Sequence, residues 1–254
     1  MNKEKMDIKI LNWLKEEQKP IIGWDFSYLK GRMETIPTSW DYKKIIEHYL
    51  TSEMELLDMG TGGGEFLLTL DHPYDKTYIT EGYVPNYELC INKLKPLGIC
   101  VKFIEEDTTI PYPDQKFDTI INRHEAFSIK EVKRILKPNG IFITQQVGGL
   151  NDYSFSKLIN PNYVPPYLDN NLNTISKELK KNEFRILLAK EEFNPIKFFD
   201  TEAFIYFAKI IEWEFPNFSV KKNIKELKKI EKLINTTGYI CANEHRFLIV
   251  AQKK

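Results

Sequence analysis

Apolar positions recur along this chain with two different periods, and the change of period marks its elements. Over the first fifty residues the spacing is helical. Ile8, Leu11, Trp13 and Leu14 form one short stripe, and Ile45, Ile46, Tyr49 and Leu50 form another. An aromatic connector, Gly23-Trp24-Asp25-Phe26-Ser27-Tyr28, lies between them, and Pro37 and Ser39 punctuate the approach to the second stripe. From Glu53 short apolar runs take over. Residues Glu55–Met59, Lys76–Glu81, Ile99–Ile104, Phe117–Ile121 and Ile141–Gln145 read as strands. Between them Glu65–Leu70, Asn86–Leu94 and Ile129–Leu136 read as helices; Pro85 opens the second and Pro138-Asn139-Gly140 stops the third.

Strands alternating with helices at this spacing imply a parallel sheet covered on both faces, and right-handed crossovers make it doubly wound. The regular alternation stops after Val147-Gly148-Gly149. Residues 150–185, with Asn160-Pro161-Asn162, Pro165-Pro166 and a polar helix around Thr174–Asn182, read as an insertion of lid type. Ile186–Phe193 and Ile196–Phe199 read as two further strands, Thr201–Ile211 as an apolar helix, Asn223–Ile234 as a lysine-rich amphipathic helix and Arg246–Ala251 as a closing strand. The expected fold is therefore α/β, a mostly parallel seven-stranded sheet. A helical cap over 1–52 precedes a main domain over 53–254, which carries the insertion and a helical excursion at about 200–238.

Composition changes little in this picture. At 254 residues, 42% hydrophobic and 28% charged, the chain has the make-up of a globular protein of one large domain. Thirty-six basic residues balance 36 acidic ones, so no overall basic field argues for a nucleic-acid partner. Cys90, Cys100 and Cys241 lie far apart, which disfavours a zinc site or a disulfide framework and leads us to expect no metal. The first twenty residues alternate charge with apolar positions, unlike a secretory signal or a membrane span, so a cytoplasmic protein is expected.

Candidate chemistry gathers after the first strand of the sheet, in Asp58-Met59-Gly60-Thr61-Gly62-Gly63-Gly64. In a doubly wound sheet ligands bind at the carboxyl ends of the strands. Four glycines in five positions exceed what a plain strand-to-helix turn requires, and they let a ligand approach the backbone. A dinucleotide fingerprint wants a small residue at its third glycine position. Counted from Gly60, that position is Glu65. With Asp58 it opposes a dianionic pyrophosphate and suits a cationic ligand. Glu81 ends the second strand, where an acid accepts from both hydroxyls of a ribose; its alternative is a solvated loop carboxylate. Asp107-Thr108 follows the third strand, placed for an adenine amino group or as an ordinary turn. No phosphate-binding Gly-Lys-Ser/Thr follows the glycines.

As a set, Leu57–Glu65, Glu81, Glu106-Asp107, Ile110-Pro111-Tyr112-Pro113-Asp114, Phe117-Asp118 and Glu131-Val132-Lys133-Arg134-Ile135-Leu136-Lys137-Pro138-Asn139-Gly140-Ile141 resemble class I S-adenosylmethionine-dependent methyltransferases of the broad type 11 group. The resemblance covers about residues 53–148. The flanks Trp24–Ser27, Gln145–Gly149 and Phe198-Phe199-Asp200 are similar to a bacterial subgroup of unnamed substrate. The resemblance implies a Rossmann-like methyltransferase fold and S-adenosylmethionine as cofactor. It implies contacts to that cofactor from Asp58, Gly60, Thr61, Gly62, Gly64, Glu81, Asp107, Thr108, Asn122 and Arg123, the last two along its methionine part. Asn139-Gly140 stands where many relatives have paired glycines, and the Asn-Pro-Pro-Tyr motif of many amino-group methyltransferases is missing.

Methyl transfer needs a positioned nucleophile and, for some acceptors, a base. His124, just past the fourth strand, is the candidate catalytic base, and a structural histidine is the competing reading. Gln145 and Gln146 read as substrate contacts or as strand ends. Trp24, Tyr28 and Trp40 read as core or as covers of the cofactor, and Arg32 as a solvated arginine or a partner of the cofactor carboxylate. Lys221, Lys222, Lys225, Lys228, Lys229 and Lys232 read as a solvated helix face or as an RNA-binding patch. The expected activity is methyl transfer to an O, N or C nucleophile of a small molecule. The alternatives are an RNA or protein methyltransferase and a non-catalytic cofactor-binding regulator.

Overall fold

The computed structural model describes residues 3–20 and 26–254. Gly23, Trp24 and Asp25 of the aromatic connector lie outside the described residues. In chain order the elements are α1 (Lys3–Glu17), β1 (Met33–Thr35), α2 (Tyr42–Tyr49), β2 (Leu56–Met59), α3 (Glu65–Leu68), β3 (Thr77–Glu81), α4 (Val84–Lys93), β4 (Cys100–Phe103), β5 (Phe117–Arg123), α5 (Ile129–Ile135), β6 (Leu136–Val147), α6 (Tyr153–Ile159), α7 (Leu172–Lys181), β7 (Phe184–Phe198), α8 (Thr201–Ile210), α9 (Ile224–Thr237) and β8 (Ile240–Lys253). The sheet has eight strands in the order β1-β7-β8-β6-β5-β2-β3-β4. Pairs β2–β3, β2–β5, β3–β4 and β5–β6 are parallel, and β6–β8 and β1–β7 antiparallel.

Seven of these strands follow the apolar runs. The eighth, β1, is three residues beside Pro37, too short for a period to register. The runs Ile186–Phe193 and Ile196–Phe199 form one strand, β7, which continues through Pro195; the Pro195 carbonyl accepts from the Ile36 amide at 3.2 Å.

The chain forms two compact units. One contains residues 39–148, 169–191 and 246–254, the other residues 1–38, 149–168 and 192–245. The first unit holds the parallel strands. Side chains alternate across a strand, and here neighbouring residues feed two cores: Leu56, Ile121 and Ile143 one, Leu57, Ile120 and Phe142 the other. That is why these strands read as continuous apolar runs.

The second unit packs around α8, whose residues Ala203–Ala208 are all buried. Its Phe204 and Phe207 pack with Phe155, Phe198 and Phe215, and with Trp13 and Leu29. Arg32 fixes the start of α8. Its Nε and Nη2 donate to Asp200 at 2.9 and 2.6 Å and its Nη1 to Glu16 at 3.2 Å, while Asp200 caps the helix by accepting from the Ala203 amide at 2.7 Å. Such a two-pronged guanidinium–carboxylate pair is a stronger bond than a surface ion pair. Among the described residues no helix is long and apolar enough to cross a membrane.

Candidate functional site: the carboxyl edge of the parallel strands

Strands β2, β3 and β5 end side by side. Met59 lies opposite Thr80 on one flank and Asn122 on the other, and Asn122 lies opposite Thr144 of β6. The segments that leave these ends, residues 60–64, 82–83 and 124–128, share one edge of the sheet.

The glycine turn is tied into this edge by its backbone. The Gly60 amide donates to the Thr80 carbonyl at 3.0 Å. The Gly62 amide donates to Glu81 Oε2 at 2.8 Å, and the Gly82 and Tyr83 amides donate to Glu81 Oε1 at 3.0 and 2.9 Å. Three of about four acceptor positions on this carboxylate are thus taken by amides, which holds Glu81 in one orientation beside the turn. From below, the Cys90 thiol donates to the Gly62 carbonyl at 3.1 Å, and Lys93 Nζ donates to the Gly63 carbonyl at 3.0 Å. Glu65 pairs with Lys93, 2.6 Å from its Nζ, and its carboxylate lies against Gly63.

Acidic groups dominate the edge. Asp58 is 5% exposed, and burial pushes its carboxyl up to about 7; Glu81 raises it too, while the Thr61 hydroxyl and the Arg123 charge oppose the shift. Asp107 is half-buried and its carboxyl is also raised by burial. Thr108 is exposed, and its hydroxyl donates to Glu106 at 2.9 Å. A fourth acid, Glu125, lies against Gly60. A Cβ built on Gly60 would stand 2.4 Å from Glu125 Cγ, so only glycine admits this side chain there. Burial, then Asp107 and Glu81, raise the Glu125 carboxyl. Sequence reasoning missed Glu125, because the contact with Gly60 that singles it out is made only in the folded chain.

The last two residues of β5 and the residue after it go three ways. Asn122 is buried: its Oδ1 accepts from Thr144 Oγ1 at 3.0 Å and from Gln146 Nε2 at 2.5 Å, and its Nδ2 has no partner among the described residues. The buried Tyr42 hydroxyl lies 3.0 Å from the Asn122 carbonyl and 3.3 Å from that of Ile143, joining the two strand ends. Arg123 is exposed and places its guanidinium 4.3 Å from the centre of the Phe66 ring, which itself stacks on Tyr42.

His124 adopts the left-handed backbone region, at φ 60°, and its amide donates to the Gln145 carbonyl at 2.8 Å. Its imidazole belongs to a chain of polar groups. Trp40 Nε1–H donates to Gln145 Oε1 at 2.8 Å. An indole nitrogen only donates, so it fixes which end of the Gln145 amide faces it. The amide nitrogen therefore faces His124 Nε2, 3.2 Å away, and donates to it. Nε2 is then the unprotonated nitrogen, and the neutral ring carries its proton on Nδ1. Desolvation by the surrounding protein, then the charges of Arg246 and Arg123, hold this imidazole well below its ordinary pKa. The ring is neutral at pH 7.

Tyr28 and Arg32 take part in the packing of the other unit. Tyr28 packs on the Tyr206 ring and accepts from Lys19 Nζ. The lysines of α9 are exposed, while Leu227 and Ile230 on its other face join the core of that unit. Gln146 lies in the buried network with Asn122 and Thr144.

A sequence-family model described as a methyltransferase domain matches residues 57–144, the span that carries this edge. Solved structures similar to the chain include the YcgJ protein of Bacillus subtilis, at 20% identity and a TM-score of 0.56, covering 84% of this chain and 97% of that one. An S-adenosylmethionine-dependent methyltransferase from Aquifex aeolicus is similar at 16% identity and a TM-score of 0.51 over 100% of both chains. A [4+2]-cyclase, SpnF, is similar at 15% identity and a TM-score of 0.52, covering 98% of this chain and 94% of that one. No curated protein matches. The fold is the Rossmann-like fold of methyltransferases, and the residues that match the methyltransferase-domain model lie at its centre.

Proposed function

From this methyltransferase domain as premise, we propose that the carboxyl edge of β2, β3 and β5 binds S-adenosylmethionine and directs its methyl group to a nucleophilic O, N or C atom of a small molecule. The observation that carries the reading is the glycine turn, tied by its Gly60 and Gly62 amides to the end of β3, with the charge of Glu81 acting on Asp58 and those of Glu81 and Asp107 on Glu125. When bound, this cofactor supplies a methyl group activated by a positively charged sulfur. The residues present suit a cationic nucleoside. Space above Gly62 is open, since a Cβ there would meet nothing within 4 Å. Asp58 is buried with a raised pKa, a state that a cationic ligand relieves. Asn122 Nδ2 is a buried donor with no partner among the described residues.

In this reading Gly60, Thr61, Gly62 and Gly64 form the floor, Glu81 accepts from ribose, and Asp107 with Thr108 borders the base. Asp58, Asn122 and Arg123 line the amino-acid end. His124 is the proposed catalytic residue, contacting the methyl acceptor. Its Nε2 is engaged by Gln145, so it acts from Nδ1–H as a neutral hydrogen-bond donor that orients the acceptor. Accepting a proton from it would require the ring to change tautomer and leave Gln145. The site is proposed to work in the cytoplasm, on a small molecule and not on a nucleic acid; the α9 lysines have a solvated face as their simplest reading.

Titration calorimetry with S-adenosylmethionine and S-adenosylhomocysteine tests the cofactor site. Binding of both is expected, and Asp58→Ala should weaken it by about 1–3 kcal/mol, as for a lost charge-assisted hydrogen bond. Absence of binding at millimolar ligand rejects the proposal.

A further inference from the structure

Glu125 is the one acid of this edge with no assigned task, and its surroundings are built for it. Its side chain lies flat on Gly60, where a Cβ would collide with its Cγ, Cβ and Oε2 at 2.4, 2.7 and 2.8 Å. Its backbone carbonyl accepts from Gln146 Nε2 at 3.0 Å, and that amide is locked by Asn122 and Thr144. The preceding residue, His124, turns the chain through a left-handed conformation. The backbone is therefore aimed before any ligand arrives. Burial raises the Glu125 carboxyl, as do Asp107 and Glu81, both of its own sign, and the Ala126 amide opposes them. A partly buried carboxylate beside two others is costly unless a positive charge joins them.

We propose that Glu125 is a fourth carboxylate of the cofactor site, which reads the positive charge on sulfur and makes the site prefer S-adenosylmethionine over S-adenosylhomocysteine. This rests on the cofactor reading above. Both ligands carry the same ammonium, carboxylate and nucleoside, and they differ by one methyl group and one charge at sulfur. Once the methyl has left, the sulfur is a neutral thioether, the counter-charge is gone, and the clustered acids favour release of the product.

The test is the ratio of the two dissociation constants, measured by calorimetry on wild type, Glu125→Gln and Glu125→Asp. Glutamine keeps the shape and removes the charge. It should weaken S-adenosylmethionine about tenfold, the order of one lost charge contact, and change S-adenosylhomocysteine less than twofold. Aspartate keeps the charge and should preserve the wild-type preference. Equal weakening of both ligands assigns Glu125 to the shared ammonium or to packing and overturns the proposal; an unchanged ratio also overturns it. Should the glutamine variant not fold by thermal denaturation, Glu125→Ala is measured with the same expectation. If the wild type binds neither ligand, the cofactor reading itself has failed, which is a different outcome.

Discussion

Asp58 is where burial and charge meet in one side chain. Its carboxyl titrates at about 7 in the folded protein against 3.8 for an ordinary aspartate. The unfolded chain releases that proton near pH 4, while the folded one retains it to near 7. The folded state is therefore favoured fully below about pH 4, and this contribution is lost as pH rises to about 7. Replacing Asp58 by Asn removes the burden of a buried charge. At pH 8 the ligand-free variant should be more stable than wild type, by up to about 4 kcal/mol, and the gap should close by pH 4. Thermal denaturation across that range checks it, and a gap equal at both ends would reject the assignment. Cofactor affinity should move the other way: it rises with pH through 7 in wild type and stays flat in Asp58→Asn. Asp58 is a proposed ligand group from its place before the glycines. Its raised pKa was not legible in the sequence, because burial is a property of neighbours from β3 and β5.

At the scale of the element, the β2–α3 turn holds one glycine whose missing Cβ makes room for a core side chain and one that borders open space. Gly64 starts α3 at φ 75°, and a Cβ there would stand 2.7 Å from Leu94, a fully buried side chain of the core. Gly62 is also left-handed, at φ 64°, yet a Cβ there meets nothing. Gly62→Ala should cost about 1 kcal/mol of stability from backbone strain alone. Gly64→Ala should cost about 3 kcal/mol, because overpacking adds to the strain. Urea denaturation separates the two, and similar losses would contradict the geometry. In the sequence these glycines are equivalent members of one motif. The five parallel strands were legible because buried strands read as continuous apolar runs. Strand β1 was not, since three residues acquire strand character only by pairing with Phe198, Lys197 and Ile196.

Across the whole molecule, the second unit is assembled from three stretches far apart in the chain. Arg32 and Asp200 show how they are joined: 168 positions separate them, and two hydrogen bonds connect them. Sequence reading left Arg32 between a solvated side chain and a partner of the cofactor carboxylate. Its hydrogen bonds to Asp200 and Glu16 are structural. Arg32→Ala should lower stability by about 2 kcal/mol, the scale of charged hydrogen bonds, and leave S-adenosylmethionine affinity within twofold. Urea denaturation and calorimetry on one preparation check both halves. A large loss of affinity with unchanged stability would return Arg32 to the cofactor site.

The sequence by itself determined the alternation of strands and helices, the place of the glycine turn and the acids that end three strands. Those features are local: burial pattern, backbone freedom and charge follow from residue type and short spacing. The tertiary structure alone decided that Glu125 rests on Gly60, that three amides hold Glu81, and that Trp40 through Gln145 fixes the tautomer of His124. Apart from the Gly82 and Tyr83 amides, which adjoin Glu81 in the chain, these contacts join groups that strand pairing brings together from separate stretches. Neither a periodic pattern nor a short motif records which distant side chain will stand within 3 Å.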